Sequence, residues 1–128
     1  MNVSDFKLPV GDVYLSSAFT NRLALGDNVV IKKALTAREA FALCSIFSTA
    51  ANVKFINAIN PNHTSTAVLA QGLTDVPCEQ MFISANIGDV IIIMIPSAAS
   101  RNATEFEVDN FNECIFEVVQ ICDETVLK

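Results

Sequence analysis

Six consecutive residues, Val90-Ile91-Ile92-Ile93-Met94-Ile95, are apolar without a break. A strand with one wet face alternates apolar and polar side chains. This run does not alternate, so it reads as a central strand buried on both faces. Extended by Pro96 it is still far too short to cross a bilayer. A strand covered on both sides needs partner strands and flanking layers. The expected fold class is therefore α/β (α+β), one domain over residues 1–128 with its core at about 12–121, built on a mixed sheet of five or six strands with two main helices.

The rest of the chain supplies those partners. Asp12–Ser17 reads as a first strand, followed by a turn through Ala18–Leu23 that has room for one helical turn. Asn28–Lys33 reads as a second strand after the Gly26-Asp27 turn. Thr36-Ala37-Arg38-Glu39 has the spacing of a capping box, and the helix it opens carries Ala40, Leu43, Cys44 and Phe47 on one side. That helix is expected to end near Ala51-Asn52. Val53–Ile59 reads as a third strand and Thr64–Leu73 as a second helix, with Val68 and Leu69 inward and Gly72 near its end. Glu79–Ala85 and Asp89–Ile95 read as two strands joined by Asn86-Ile87-Gly88, a hairpin turn with glycine where positive φ is easiest. Pro96–Asn110 is polar with few periodic signals, and Cys114–Ile121 closes the sheet.

Hydrophobic residues make up 52% of the 128 residues and charged residues 17%, enough for a real core and far from a disordered composition. The formal net charge is −6. Seven of the 14 acids fall between Glu105 and Glu124, whereas residues 1–104 hold seven acids and seven bases. Such a chain does not grip long nucleic acid by counterion release. A small anion held by backbone amides and an arginine or two is compatible with it. Cys44, Cys78, Cys114 and Cys122 are widely spaced and form no CxxC pair. With one histidine in the chain, a zinc set is not expected, and the thiols read as buried and reduced, which suits the cytosol. Met1–Val10 lacks a signal-peptide core.

The one histidine, His63, stands in Asn60-Pro61-Asn62-His63-Thr64-Ser65-Thr66, between the third strand and the second helix. A strand-to-helix junction presents backbone N–H groups to an anion, and a histidine there can give or take a proton near neutrality. A lone loop histidine is more often an ordinary surface side chain. Arg101 stands in a polar loop after the central strand, with Glu105 four residues on and Glu107 beyond. If the third strand and the strand at 89–95 are neighbours, their ends bring His63, Arg101 and a carboxylate together. The alternatives are a solvated arginine and two members of an acidic tail. Ser16-Ser17-Ala18-Phe19-Thr20-Asn21 offers hydroxyl and amide contacts, or simply a turn and a helix cap. No GxSxG, Walker, HExxH or GxGxxG motif occurs.

Several runs, taken in order, resemble the small viral ring-nuclease family, the type III anti-CRISPR proteins of archaeal viruses and phages. Val13-Tyr14-Leu15-Ser16-Ser17-Ala18-Phe19 is similar to the family's V-Y-L-x-N-A-F. Ile56-Asn57-Ala58-Ile59, then His63 and Ser65-Thr66, is similar to I-N-A-I-G-H-x-S-T. Gly88–Ile95 resembles G-D-x-A-L-I-I-x-I, and Phe116–Val119 resembles the closing strand.

The resemblance implies a homodimer that binds cyclic tetra-adenylate, or a related ring, across its two-fold axis without a metal or other cofactor. A ribose 2′-hydroxyl attacks its own phosphate in that family, a histidine protonates the departing oxygen, and an arginine and a glutamate assist. Carried over, these roles fall to His63, Arg101 and Glu105. Ser16, Ser17, Ala18, Phe19, Asn62, Thr64, Ser65 and Thr66 are the implied ligand contacts. The chain differs from the family in four places. Ser17 stands where the family has asparagine, Asn60-Pro61-Asn62 replaces a glycine, Gln80 stands for a further arginine, and Arg101 and Glu105 are four rather than three apart. Each lost donor weakens charge stabilisation in a transition state by ~3–4 kcal/mol where it is preorganised. Three readings therefore stand side by side: a cytoplasmic viral enzyme that cleaves a cyclic oligonucleotide signal, a sponge that sequesters one, and a viral structural or interaction protein. None needs long nucleic acid or a membrane.

Overall fold

The uninterrupted apolar run lies at the middle of the sheet. The computed structural model describes residues 6–17, 29–62, 64–79 and 86–123. They form strands β1 (Val13–Ser16), β2 (Val29–Leu35), β3 (Phe55–Asn57), β4 (Val90–Ile95) and β5 (Ile115–Cys122). The order across the sheet is β2-β5-β4-β1-β3. β1 runs parallel to both β3 and β4, while β5 is antiparallel to β4 and β2. Helices α1 (Ala37–Thr49), α2 (Thr64–Ala70) and α3 (Val108–Asn112) complete the fold, with a 3₁₀ turn at Ala98–Ser100.

Alternate residues of β4 enter two cores. Val90, Ile92 and Met94 join Val13, Leu15, Phe116 and Val118 beneath the helices, which contribute Leu43 and Phe47 from α1, Leu69 from α2 and Phe111 from α3. Ile91 and Ile93 face the other way, with Tyr14, Ile56, Val119 and Ile121. All five residues from Val90 to Met94 are fully buried, which is why no polar residue interrupts the run.

Local signals hold where they are chemical. The Thr36 hydroxyl accepts from the Glu39 N–H at 3.1 Å, and the Glu39 carboxylate accepts from the Thr36 N–H at 3.0 Å, so both halves of the capping box form. Gly88 takes φ 96° in the turn before β4. Asp89 braces that turn: one carboxylate oxygen accepts from the Asn86 N–H and the other from the Asp12 N–H, both at 2.8 Å. A side chain on Gly11 would collide with that carboxylate.

Lengths differ from expectation in three places. β3 is three residues rather than seven: among the described strands it pairs only with β1, and the Asn57 side chain accepts from the Ile59 N–H, turning the chain. α2 stops at Ala70 instead of Leu73. The stretch Pro96–Asn110, read as irregular, contains the 3₁₀ turn and the start of α3, which is too short to show a helical period and is anchored by Phe111. The strand expected at Glu79–Ala85 falls on residues 80–85, outside the described residues; Glu79 itself is not in a strand, and its N–H donates to the Asn57 carbonyl at 2.7 Å. No described helix is long and apolar enough to cross a membrane.

Candidate functional site

Three parallel strands, β3, β1 and β4, lie side by side and end at one edge of the sheet. The segments that leave them must turn away there, and the carboxyl ends of parallel strands are where crevices open in sheets of this kind. A cleft of about 340 Å³ opens at that edge, lined by Ser17, Ser65, Thr66, Ile95, Pro96 and Arg101. Ser17 follows β1, Ser65 and Thr66 belong to the first turn of α2, and Ile95 ends β4.

Arg101 reaches this cleft because of what precedes it. Ser97 caps the 3₁₀ turn with its hydroxyl, which accepts from the Ser100 N–H at 3.3 Å. The buried Ser100 hydroxyl lies within reach of both the Ser97 hydroxyl and the Ser97 carbonyl. Arg101 is the next residue, still in helical φ,ψ, and is exposed. Among the described residues no carboxylate pairs with it, and it is the only charged side chain lining the cleft. α2 has only two turns, so its macrodipole adds little, and the positive character of the cleft rests on the guanidinium.

On the other flank, Asn57 ties the end of β3 in place. Its buried amide donates to the Val76 carbonyl at 2.9 Å, and its oxygen accepts from the Ile59 N–H at 3.3 Å. The Asn60 side chain accepts from the Asn62 N–H at 2.9 Å, a second local turn on the way to α2.

The structure thus brings together Ser17, Ser65, Thr66 and Arg101. Ser16 is half-buried at the end of β1, and Asn62 and Thr64 are exposed; none of the three lines the cleft. Ala18, Phe19, His63 and Gln80 lie outside the described residues. Glu105 is not beside Arg101 in the cleft. It lines a separate depression with Glu107 and Asn110, where Asn110 donates to the Glu107 carboxylate at 3.0 Å. The condition that the third strand and β4 be neighbours is not met: β1 runs between them. Sequence reasoning missed Ile95 and Pro96 as lining residues, although an apolar strand closed by proline marks where a chain must leave a sheet.

The four cysteines are free thiols; Cys44, Cys114 and Cys122 are buried and Cys78 is half-buried. Burial pushes the Cys44 thiol up to about 12, so it is inert as a nucleophile. Among the described residues no group of three His, Cys, Asp or Glu side chains could hold a metal ion.

No family model and no curated protein matches the chain. Among solved structures, the chain is similar to B116 of Sulfolobus turreted icosahedral virus, with a TM-score of 0.70 and 20% sequence identity over 85% of this chain and 98% of that one. At that identity the likeness establishes a shared fold: a small α+β domain on a five-stranded mixed sheet.

Proposed function

We propose that this chain is a virus-encoded protein that binds a cyclic oligonucleotide second messenger, cyclic tetra-adenylate or a related ring, and cleaves it without a metal. The observation that carries this reading is the convergence of the Arg101 guanidinium and the Ser17, Ser65 and Thr66 side chains on one cleft. A guanidinium suits a phosphate by charge and by its forked donors, and hydroxyls can both donate to phosphate oxygens and accept from ribose. The fold shared with a viral protein and the ordered runs of the sequence support the same reading.

In this scheme a ribose 2′-hydroxyl attacks its adjacent phosphorus, its proton passing to solvent, and the bond to the 5′-oxygen breaks. His63 delivers the proton that the leaving 5′-oxygen takes up, and Arg101 balances charge on the phosphate. The product is linear and ends in a 2′,3′-cyclic phosphate. A symmetric ring is best met by two copies of the same loops, so a homodimer with the ligand on its axis completes the proposal. The site of action is the host cytosol.

The test is a thermal-shift screen against cyclic di-, tri-, tetra- and hexa-adenylate and mixed-base rings in EDTA, followed by mass spectrometry of the products. A shift with one ring and a 2′,3′-cyclic phosphate product support the enzyme. No shift with any ring overturns the reading. One observation favours a second reading, the sponge: Glu105 lines a different depression, which leaves Arg101 as the one charged group on the cleft among the described residues. Tight binding with the ring intact after hours selects it.

A further inference from the structure

Away from the cleft, a second cavity of about 340 Å³ lies over the β2–β5 ladder. Ile31 and Val118 give it an apolar floor and Phe6 an apolar wall, braced by the Phe6 ring against Phe47 at a centroid separation of 5.9 Å. The wall is held in place beforehand. Gln120, which is buried, donates from its amide nitrogen to the Leu8 carbonyl at 2.9 Å and the Gly88 carbonyl at 3.1 Å, and its oxygen accepts from the Leu8 N–H at 3.2 Å. One amide proton and the amide oxygen therefore hold Leu8, and with it residues 6–8, against the sheet, while the other amide proton is spent on Gly88.

The charge on the cavity comes from lysines, beside the polar Gln120. Lys7, Lys32 and Lys33 all line it, three of the eight bases in a chain of net charge −6. Among the described residues no carboxylate lines it. The Lys32 ammonium is 3.5 Å from the Glu117 carboxylate, which leaves Lys7 and Lys33 as its available cations. Lys33 also feels Glu39, but that carboxylate is engaged by the Thr36 N–H.

We propose that this cavity binds one small amphipathic anion, a monocarboxylate with an apolar body, its body on Phe6, Ile31 and Val118 and its head toward the Lys7 and Lys33 ammonium groups. An apolar pocket with a few convergent polar groups is the usual form of a small-molecule site, and its volume lies in the usual range. Lysine stems extend over apolar surface while their heads stay at the rim, which is the arrangement such a ligand requires. The proposal is independent of the cyclic-nucleotide reading.

Dodecanoate, added below its micelle-forming concentration to the full chain, is the probe, followed by ¹⁵N–¹H NMR. Saturable shifts at Ile31, Lys33, Val118 and Gln120, with Ser65, Thr66 and Arg101 unmoved, are expected. The double variant Lys7→Ala/Lys33→Ala, which alters only exposed side chains, should weaken binding on the order of tenfold. Ile31→Trp, checked for folding by circular dichroism, should abolish it by filling the floor. Shifts that never saturate or spread over the surface, or an affinity unchanged in the lysine double variant, overturn the proposal.

Discussion

The hydroxyl oxygens of Ser97 and Ser100 lie 2.8 Å apart, just before Arg101, the only charged side chain among the described residues that lines the cleft. Two small polar residues thus set the direction of an exposed arginine. Ser97→Ala removes the cap of this 3₁₀ turn and should lower stability by about 1 kcal/mol in urea denaturation. It should also weaken binding of the active ring severalfold, and Ser97→Thr, which keeps the hydroxyl, should restore both.

His63 and Arg101 should separate by kinetics. His63→Ala is expected to lower single-turnover cleavage by ~10²–10⁴ and to leave ring affinity within about tenfold, because a general acid acts on the leaving group rather than on binding. Arg101→Ala should weaken both, since the guanidinium meets phosphate in ground and transition states alike. A His63→Ala variant that cleaves as fast as wild type reduces that residue to a loop histidine.

Stability should be concentrated in β4. Ile92 is fully buried, and Ile92→Ala should cost ~2–5 kcal/mol by guanidinium titration. Ile115 is 58% exposed on the neighbouring strand, and Ile115→Ala should stay within about 0.5 kcal/mol of wild type. Equal losses at the two sites would contradict the burial described.

Thiol labelling should be ordered. At pH 8 Cys78, half-buried, is expected to react first with a maleimide, and Cys44 only after unfolding, because burial holds its thiol protonated and out of reach. Mass spectrometry of timed digests reads the order directly.

Glu39 should contribute a small pH dependence of known sign. Its carboxyl is held below its ordinary value chiefly by the Thr36 backbone N–H. A carboxylate depressed in the folded state adds stability that is complete above its unfolded value of about 4.3 and is lost as pH falls through the folded one. The stability gap between wild type and Glu39→Gln, measured in urea, should therefore narrow between pH 6 and pH 3.

What the sequence revealed, and what it did not, follows from the range of each signal. The β4 run, the Thr36–Glu39 box and the positive φ of Gly88 are decided within a few residues, and each formed as expected. The hairpin expected at Gly88 is not formed on β4, whose two neighbours in the sheet are β1 and β5. Strand order is decided by packing between distant segments. Nothing local announced that β1 would separate β3 from β4, or that Glu105 would line a depression apart from Arg101. α3 escaped because five residues with one buried anchor carry no period. The cleft was half legible: hydroxyls and an arginine could be chosen by chemistry, whereas Ile95 and Pro96 line it because of where the sheet ends.

The sheet order also dictates when the fold can be completed. β2 pairs only with β5 among the described strands, and β1 only with β3 and β4. On a ribosome, Val29–Leu35 therefore emerges nearly ninety residues ahead of the strand that will receive it. Until then an apolar segment waits in solvent, and the lysine pair Lys32-Lys33 is the part of it that discourages premature pairing with another chain. A topology so rich in non-local pairing is assembled late and slowly, with its last strand closing the ladder opened by its second.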